Sequence, residues 1–297
     1  MHLIDFDHTV LHHINDAAKA LEKVIHSDVI CYFGQIHPQY VQFFRGFVEG
    51  VKSKSTRTEN TISIVLRTSG GSAKTTERLV NILRHHYSKV NFIVPDLAMS
   101  AGTIFCMSGD KLYMDYASSL GPIDPQVVET DGGNYASCFG YLDKVAELTS
   151  KSSLTAADEV LLKSIDLAKL ALFEQERDLS IDLLKLWLVE HNLKDWNVHR
   201  TTRAGVPVTI EEKEARAQEI AIELSNNKRW VSHERALGPN KLREIRLEIN
   251  DYSGDATLTH AIHSYNDLLT AYTDRLGLTF FLHSHAMEPA LCRENTA

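Results

Sequence analysis

Between residues 29 and 114 the chain alternates short β-branched apolar runs with segments of helical periodicity, and this alternation restricts the fold more than any other feature. Val29-Ile-Cys-Tyr-Phe33 ends at Gly34, and Thr61-Ile-Ser-Ile-Val-Leu66 ends just before a glycine corner. Val90-Asn-Phe-Ile-Val-Pro95 runs into a small-residue turn, and Lys111-Leu-Tyr-Met114 closes the series. Pro38 opens a helix with Tyr40, Val41, Phe44, Phe47, Val48 and Val51 at helical spacing. Lys74 to Tyr87, and the stretch from Ser100, supply two more. Strands alternating with helices of this length point to a parallel sheet with right-handed crossovers. The expected class is α/β.

The second half reads as mostly helical. Asn134 to Leu148 is predicted as one helix, and Thr155-Ala-Ala-Asp158 resembles a capping box opening a pattern that runs to Glu190. Unbroken, that pattern would span about 50 Å at 1.5 Å per residue, so it is expected to break or project. Thr209-Ile-Glu-Glu212 is a cleaner box for a helix ending near Asn226. Ala17 to Ile25 and Thr259 to Arg275 also have helical spacing, Leu278-Thr-Phe-Phe-Leu282 suits a last strand, and residues from Glu288 are expected to fray. Three stretches follow: an N-terminal helix and strand segment over 1–58, a central domain over 59–240, and a helical C-terminal extension over 241–297.

Several function classes are disfavoured by charge and motif content. The 297 residues carry a formal charge of −8, and the richest cationic stretch, Lys52 to Arg57, is short. Nucleic-acid binding is not expected. Cys31, Cys106, Cys138 and Cys292 are scattered, as in a reduced compartment. The acidic opening Met1-His-Leu-Ile-Asp-Phe-Asp7 has no basic leader region, and no apolar run approaches the roughly 20 residues of a membrane helix. A cytoplasmic protein without a membrane span is expected. The histidine pairs His8/His12, His85/His86, His260/His263 and His283/His285 lack a His-Glu-x-x-His arrangement, and no phosphate-binding glycine loop occurs. Neither a metal nor a cofactor is expected.

Two corners carry the chemistry. Met99-Ser-Ala-Gly-Thr103 follows a strand and precedes the apolar Ile104-Phe-Cys-Met107. Ser100 there stands at a strand-to-helix corner, where unpaired N–H groups gather. Thr68-Ser-Gly-Gly-Ser72 is a second corner of the same kind. Glycine lets a backbone turn its amides inward and admits close approach, so Gly70 and Gly71 with the Ala101 N–H suit an oxyanion hole. The plainer reading is a strand-to-helix turn with Ser100 as an N-cap.

These corners come in an ordered series: Leu66-Arg-Thr-Ser-Gly-Gly71, Val94-Pro-Asp-Leu-Ala-Met-Ser-Ala-Gly-Thr103, Ser108-Gly-Asp-Lys-Leu-Tyr-Met-Asp115 and Ser119-Leu-Gly-Pro-Ile-Asp-Pro-Gln126. The series resembles the serine dehydrogenase proteinase family, a branch of the Clp-protease/crotonase superfold related to the signal-peptide peptidases. Resemblance is close over 62–126 and thinner to about 240, where Lys228-Arg-Trp-Val-Ser-His233 is similar to a Lys-Trp-Thr-His element. It implies a repeated ββα superhelix around the parallel sheet, with Ser100 as nucleophile and Gly70, Gly71 and Ala101 as the oxyanion backbone. Relatives usually have proline before the two glycines; Ser69 here implies a less rigid corner.

The base stays open. Clp subunits carry their catalytic histidine where this chain has Asp124, which suits holding a turn between two prolines. Lysine-using relatives place theirs on a helix that Tyr141-Leu-Asp-Lys-Val-Ala-Glu147 resembles, making Lys144 the first candidate. Lys144 is a base if Phe139, Leu142, Val145 and Leu148 bury it, or an ordinary exposed lysine paired with Asp143 or Glu147. His233 is the second candidate, because imidazole titrates near neutrality.

The expected function is a serine endopeptidase, a hydrolase acting on peptide or protein substrates through a Ser-Lys or Ser-His pair. The resemblance also implies a homo-oligomer, with the helices after Thr155 as contacts. Two alternatives are a catalytically inactive scaffold that binds peptides or partner proteins, and acyl-CoA hydrolase chemistry. The absence of an obvious basic stretch for CoA phosphates disfavours the last.

Overall fold

The computed structural model describes residues 3–124, 126–128, 135–230, 232 and 235–293. Helix α1 (Leu3–Ile25) leads to strand β1 (Asp28–Gly34), α2 (Val41–Lys54), β2 (Thr61–Arg67), α3 (Ala73–His86) and β3 (Lys89–Ile93). The short β4 (Leu97–Ala98) precedes α4 (Ala101–Met107), β5 (Lys111–Met114) and β6 (Ser119–Leu120). A small hairpin, β7 (Gln126–Val128) with β8 (Tyr135–Ser137), opens onto α5 (Cys138–Thr149), α6 (Ala156–Lys163) and α7 (Leu167–Trp187). After α8 (Ile210–Leu224), α9 (Asn227–Trp230) and α10 (Pro239–Glu244), the chain ends with β9 (Asn250–Asp251), α11 (Ala256–Leu276), β10 (Leu278–Ser284) and β11 (Met287–Arg293).

Seven strands form one sheet in the order β11-β10-β1-β2-β3-β5-β9. From β1 to β9 every pairing is parallel, and β10 and β11 join antiparallel at the β1 edge. The α/β architecture with a mostly parallel sheet is therefore present. Strands from all three sequence stretches share this sheet. Residues in β1 and β2 are buried on both faces, which explains their continuous apolar runs. Alternate side chains divide the core. Ile30, Tyr32, Ile62, Ile64 and Leu66 face α2, α3 and α4, while Val29, Cys31, Phe33 and Val65 face α1 and α11.

All six apolar residues noted after Pro38 are buried, at about 1.5–3 kcal/mol for each of the larger ones. Phe43, next to them, is 55% exposed because it falls on the opposite face of α2. The Thr155 and Thr209 capping boxes form as expected, each threonine accepting the N–H three residues on. The long pattern after Thr155 does break, between Ser164 and Asp166, where Asp166 caps α7 by accepting from Ala168 and Lys169.

Two expectations are corrected. Residues 135–137 are strand, not the first turns of a helix, and α5 starts at Cys138 where the Ser137 hydroxyl accepts the Gly140 N–H. The chain from 288 does not fray at once: β11 pairs with β10 as far as Arg293. Apolar residues on β11 are partly buried or, at Leu291, exposed, so an alternation signal was weak there.

A buried polar chain ties α11 and β10 to α1. Asn15 Oδ1 can only accept, which places the ring proton of His283 on Nε2 (3.0 Å) and leaves Nδ1 to accept from the Tyr265 hydroxyl at 2.8 Å. Burial first, and the neighbouring His285 second, push the His283 pKa down from 6.5 to about 3. The unfolded chain therefore binds the extra proton between those values, so this contribution is complete above pH 6.5 and is lost as pH falls toward 3. Chemical denaturation at pH 7 and pH 4.5 is expected to show a loss that His283→Gln reduces by about 2–3 kcal/mol. An identical loss in the variant would remove His283 as its cause.

Candidate active site

The two glycine- and serine-bearing corners meet at the carboxyl ends of β2 and β3. Their approach is fixed by backbone pairing that continues past the regular strands. Thr68 N–H donates to Leu97 O at 3.1 Å, and Met99 N–H donates to Thr68 O at 2.9 Å. On the other side, Ile36 N–H donates to Gly70 O at 2.8 Å and Ser72 N–H to Ile36 O at 3.0 Å.

That last pair settles where the Gly71 amide points. In an extended segment, successive residues send their N–H and C=O to opposite edges. Gly70 O and Ser72 N–H face Ile36, so the Gly71 N–H faces the other edge. It donates to no acceptor among the described residues, and neither does the Ala101 N–H. Gly70 is different: its N–H is taken by Thr68 Oγ1 at 3.0 Å. Of the two glycines expected to offer amides, Gly71 keeps a free donor and Gly70 does not.

Both glycines are sterically required. Gly70 has φ +106°, and a Cβ there would lie 2.8 Å from Met99 O and 2.9 Å from Ser100 Cβ. Gly71 has φ +144°, and a Cβ would lie 2.2 Å from Ile36 O. Ser69 is exposed, and the stiffness a proline would give is supplied by the Thr68 hydroxyl holding the next turn.

Ser100 precedes α4 with φ 53° and ψ −115°, outside the basins an L-residue favours. Although it stands at the N-cap, its hydroxyl accepts no N–H of the helix. An N-cap serine ordinarily does so in a relaxed extended conformation. Here the side chain is withheld from capping at a backbone cost on the order of 1–3 kcal/mol. Thr103 locks the turn from beneath: its hydroxyl lies 3.0 Å from Ala98 O and 2.8 Å from Gly121 O, and accepts the Gly121 N–H at 3.1 Å. A Cβ on Gly102 would strike Thr68 Cγ2 at 2.4 Å, so that glycine lets the two corners close.

The candidate bases are placed less favourably. Lys144 lies on the outer side of α5, 60% exposed, with its ammonium 3.0 Å and 3.1 Å from the two Glu147 carboxylate oxygens. Phe139 and Leu148 are buried on the inner side of the helix, so the burial that would make Lys144 a base is absent in this arrangement. The exposed, Glu147-paired reading is the one observed. His233 lies outside the described residues. Asp124 is 2% exposed and accepts the Phe139 N–H at 3.1 Å, which anchors the start of α5.

A cavity of about 440 Å³ opens beside the glycine corner. Arg67, Thr68, Ser69 and Leu97 line it together with Phe33, Tyr40 and the C-terminal Leu278 and Phe281. Sequence reading missed this feature, since its C-terminal lining residues, Thr273, Leu278, Thr279 and Phe281, lie far along the chain from the corner and carry no motif. Arg67 is held there by Thr270 Oγ1 at 3.1 Å and Asp274 Oδ1 at 3.2 Å. Among the described residues no three His, Cys, Asp or Glu side chains converge as a metal site, and no helix is long and apolar enough to cross a membrane.

A sequence model of the family described as ClpP-like SDH-type serine proteinase matches residues 49–213. Two uncharacterized proteins of Methanocaldococcus jannaschii are 26% identical over 216 residues and 28% identical over 169 residues. Those alignments take in 73% and 56% of this chain, but 58% and 54% of the relatives, so the chain spans little more than half their length. Among solved structures, two mutants of the 1510-N membrane-bound stomatin-specific protease, one in complex with a substrate peptide, are similar at 15% and 16% identity. Each gives a TM-score of 0.43 and covers 74% of this chain, and 77% and 73% of the respective protease chains. A ClpP1 mutant from Listeria monocytogenes gives 0.37 at 10% identity, over 77% of this chain and 93% of its own.

The strain at residue 100 has a measurable consequence. Ser100→Gly is expected to raise stability by about 1 kcal/mol, because glycine adopts this conformation freely. Urea unfolding that shows Ser100→Gly to be less stable than wild type would mean the Ser100 conformation is not strained.

Proposed function

The chain belongs to the ClpP-like SDH-type serine proteinase family, and on that footing we propose that it hydrolyses peptide bonds with Ser100 as nucleophile. The observation that carries the proposal is the strained Ser100 backbone, which holds a hydroxyl at a helix start without using it as a cap. Backbone strain of this kind is kept where a side chain must be aimed. The central stretch 59–240 would then be the peptidase domain.

In the proposed reaction Ser100 Oγ attacks the peptide carbonyl carbon and its proton passes to the base. The carbonyl π electrons move to oxygen, and the resulting oxyanion accepts from Gly71 N–H and Ala101 N–H. Collapse expels the amine, which takes the proton back from the base, and water then hydrolyses the acyl-enzyme. The 440 Å³ cavity beside Ser69 would receive a substrate side chain. We assign the base to Lys144 or His233. As a base Lys144 must leave Glu147 and lose water, which covering of α5 by a second copy in a homo-oligomer would bring about.

One observation favours a second reading, a scaffold that binds peptides without turnover: the ammonium of Lys144 is solvated and already neutralised by Glu147. Fluorophosphonate labelling separates the two. Wild type is expected to be labelled and to cleave peptides, and Ser100→Ala to do neither. A wild-type protein that binds peptide with the same affinity as Ser100→Ala, takes no label and gives no turnover would establish the scaffold instead.

The base is read from the pH dependence of acylation. Replacing the true base by alanine is expected to slow acylation by at least about 100-fold and to remove the acidic limb of the profile. If both Lys144→Ala and His233→Ala keep wild-type rates and profiles, both assignments fail.

A further inference from the structure

A second cavity, of about 680 Å³, is formed by residues far apart in sequence and has no part in the chemistry proposed above. Its walls carry five arginines, Arg200, Arg203, Arg216, Arg243 and Arg246, in a chain whose formal charge is −8. The loop between the bridged residues Val198 and Pro207 brings the first two, α8 brings the third, and α10 with the turn after it brings the last two. Leu193 and Leu247 are buried apolar residues of the lining, with Trp196 half-buried beside them. Arg216, Arg243 and Arg246 lie beyond the residues matched by the family.

The guanidiniums are not fully neutralised by their neighbours. Arg200 pairs with Glu248, Arg203 with Glu212, and Arg243 with Asp251. Arg216 and Arg246 share one oxygen of Glu219, at 3.2 Å and 3.5 Å. Five cations thus face four carboxylates, and His199 Nε2 lies 3.1 Å from Glu212 and 2.9 Å from Arg203, able to serve only one of them at a time. Arg216 is further fixed by stacking 4.9 Å from the Trp196 ring centre. Each guanidinium has five N–H donors and uses few of them on its carboxylate, so donors remain for a ligand.

Arg246 adds an independent sign. It has φ +66°, directly after α10, where Leu247 N–H donates to Leu242 O at 3.0 Å. This is the left-handed position that ends a helix and that glycine normally fills. His26 holds the same conformation after α1, but histidine is among the residues enriched there, and arginine is not. Arg246 thus holds a long cation at a position that glycine normally fills, beside four others.

We propose that this cavity binds an oligophosphate chain, either free or carried by a nucleotide. Several oxyanions on one small molecule match convergent, planar donors better than a single carboxylate does. The volume also exceeds what one phosphate would fill, and the Trp196, Leu193 and Leu247 surface offers an apolar place for a base.

Calorimetric titration of the full chain with sodium triphosphate and with ATP, both free of divalent cations, tests the proposal. Saturable binding below about 1 mM is expected at low salt, weakening as salt rises. Equal affinities would assign a free oligophosphate; tighter ATP would assign a nucleotide. Arg246→Gly is expected to weaken binding at least about tenfold while unfolding at the same or a higher temperature, since glycine relieves the turn. Arg200→Gln is expected to weaken binding comparably, and Arg229→Gln, outside the cavity, to leave it unchanged. No saturation with either compound, wild-type affinity in Arg246→Gly, or an equal loss in Arg229→Gln would overturn it.

Discussion

The site rests on a short stretch of backbone pairing that outlasts the sheet. β2 ends at Arg67 and β3 at Ile93, yet Thr68 continues to pair with Leu97 and Met99, and Gly70 and Ser72 with Ile36. These four bonds hold the glycine turn between two neighbours. One edge of residues 70–72 is consumed by Ile36, which turns the Gly71 amide to the opposite edge. Without the Ile36 pairing, a segment with two glycines at positive φ would be free to rotate that amide away. The proposed oxyanion site would thus take its geometry from sheet hydrogen bonding and need no side chain of its own.

The strain this arrangement requires is concentrated, and its supports are adjacent. Ser100 sits off the favoured basins, while the residue three positions on, Thr103, is fully buried and bonds both Ala98 and Gly121. Gly121 in turn belongs to the segment whose Leu120 exchanges two backbone hydrogen bonds with Leu237. All seven residues of α4 are buried, so the helix cannot shift to relax the turn at its start. Buried packing and one hydroxyl together over-determine a conformation that is locally unfavourable.

How far these features could be read from sequence follows from how local they are. The corners were legible because a strand, a turn and a helix start lie within ten residues and each leaves its own signature. The capping boxes at Thr155 and Thr209 were legible for the same reason. Lys144 was harder: its helix was expected, but which side of α5 faces the core is decided by Phe139 and Leu148, and the lysine falls on the side facing water beside Glu147. The hairpin strand β8 reads like a helix start because Ser137 caps α5 directly after it. The arginine cavity was invisible in principle. Its cations are spread from 200 to 246, none forms a run, and helix α8 and the segment containing α10 must fold before they meet.

The C-terminal residues, beyond the family match, are joined to the site at its base as well as packed against the sheet. Arg67, the last residue of β2, is bonded to Thr270 and Asp274 of α11, and its guanidinium lies 5.3 Å from the Phe33 ring centre. Asp115, at the end of β5, receives His263 of the same helix at 2.9 Å. Burial would raise the Asp115 carboxyl, but the bonds from His263, the Ala117 N–H and Ser118 bring it below its usual value, so it is ionised at neutral pH. Helix α11 therefore braces the carboxyl ends of two parallel strands, one of them leading straight into the glycine corner. The same segment then supplies Leu278 and Phe281 to the cavity beside that corner. A change at the tail can alter both the aim of the corner and what fits next to it, which makes residues 256–281 part of the site's construction.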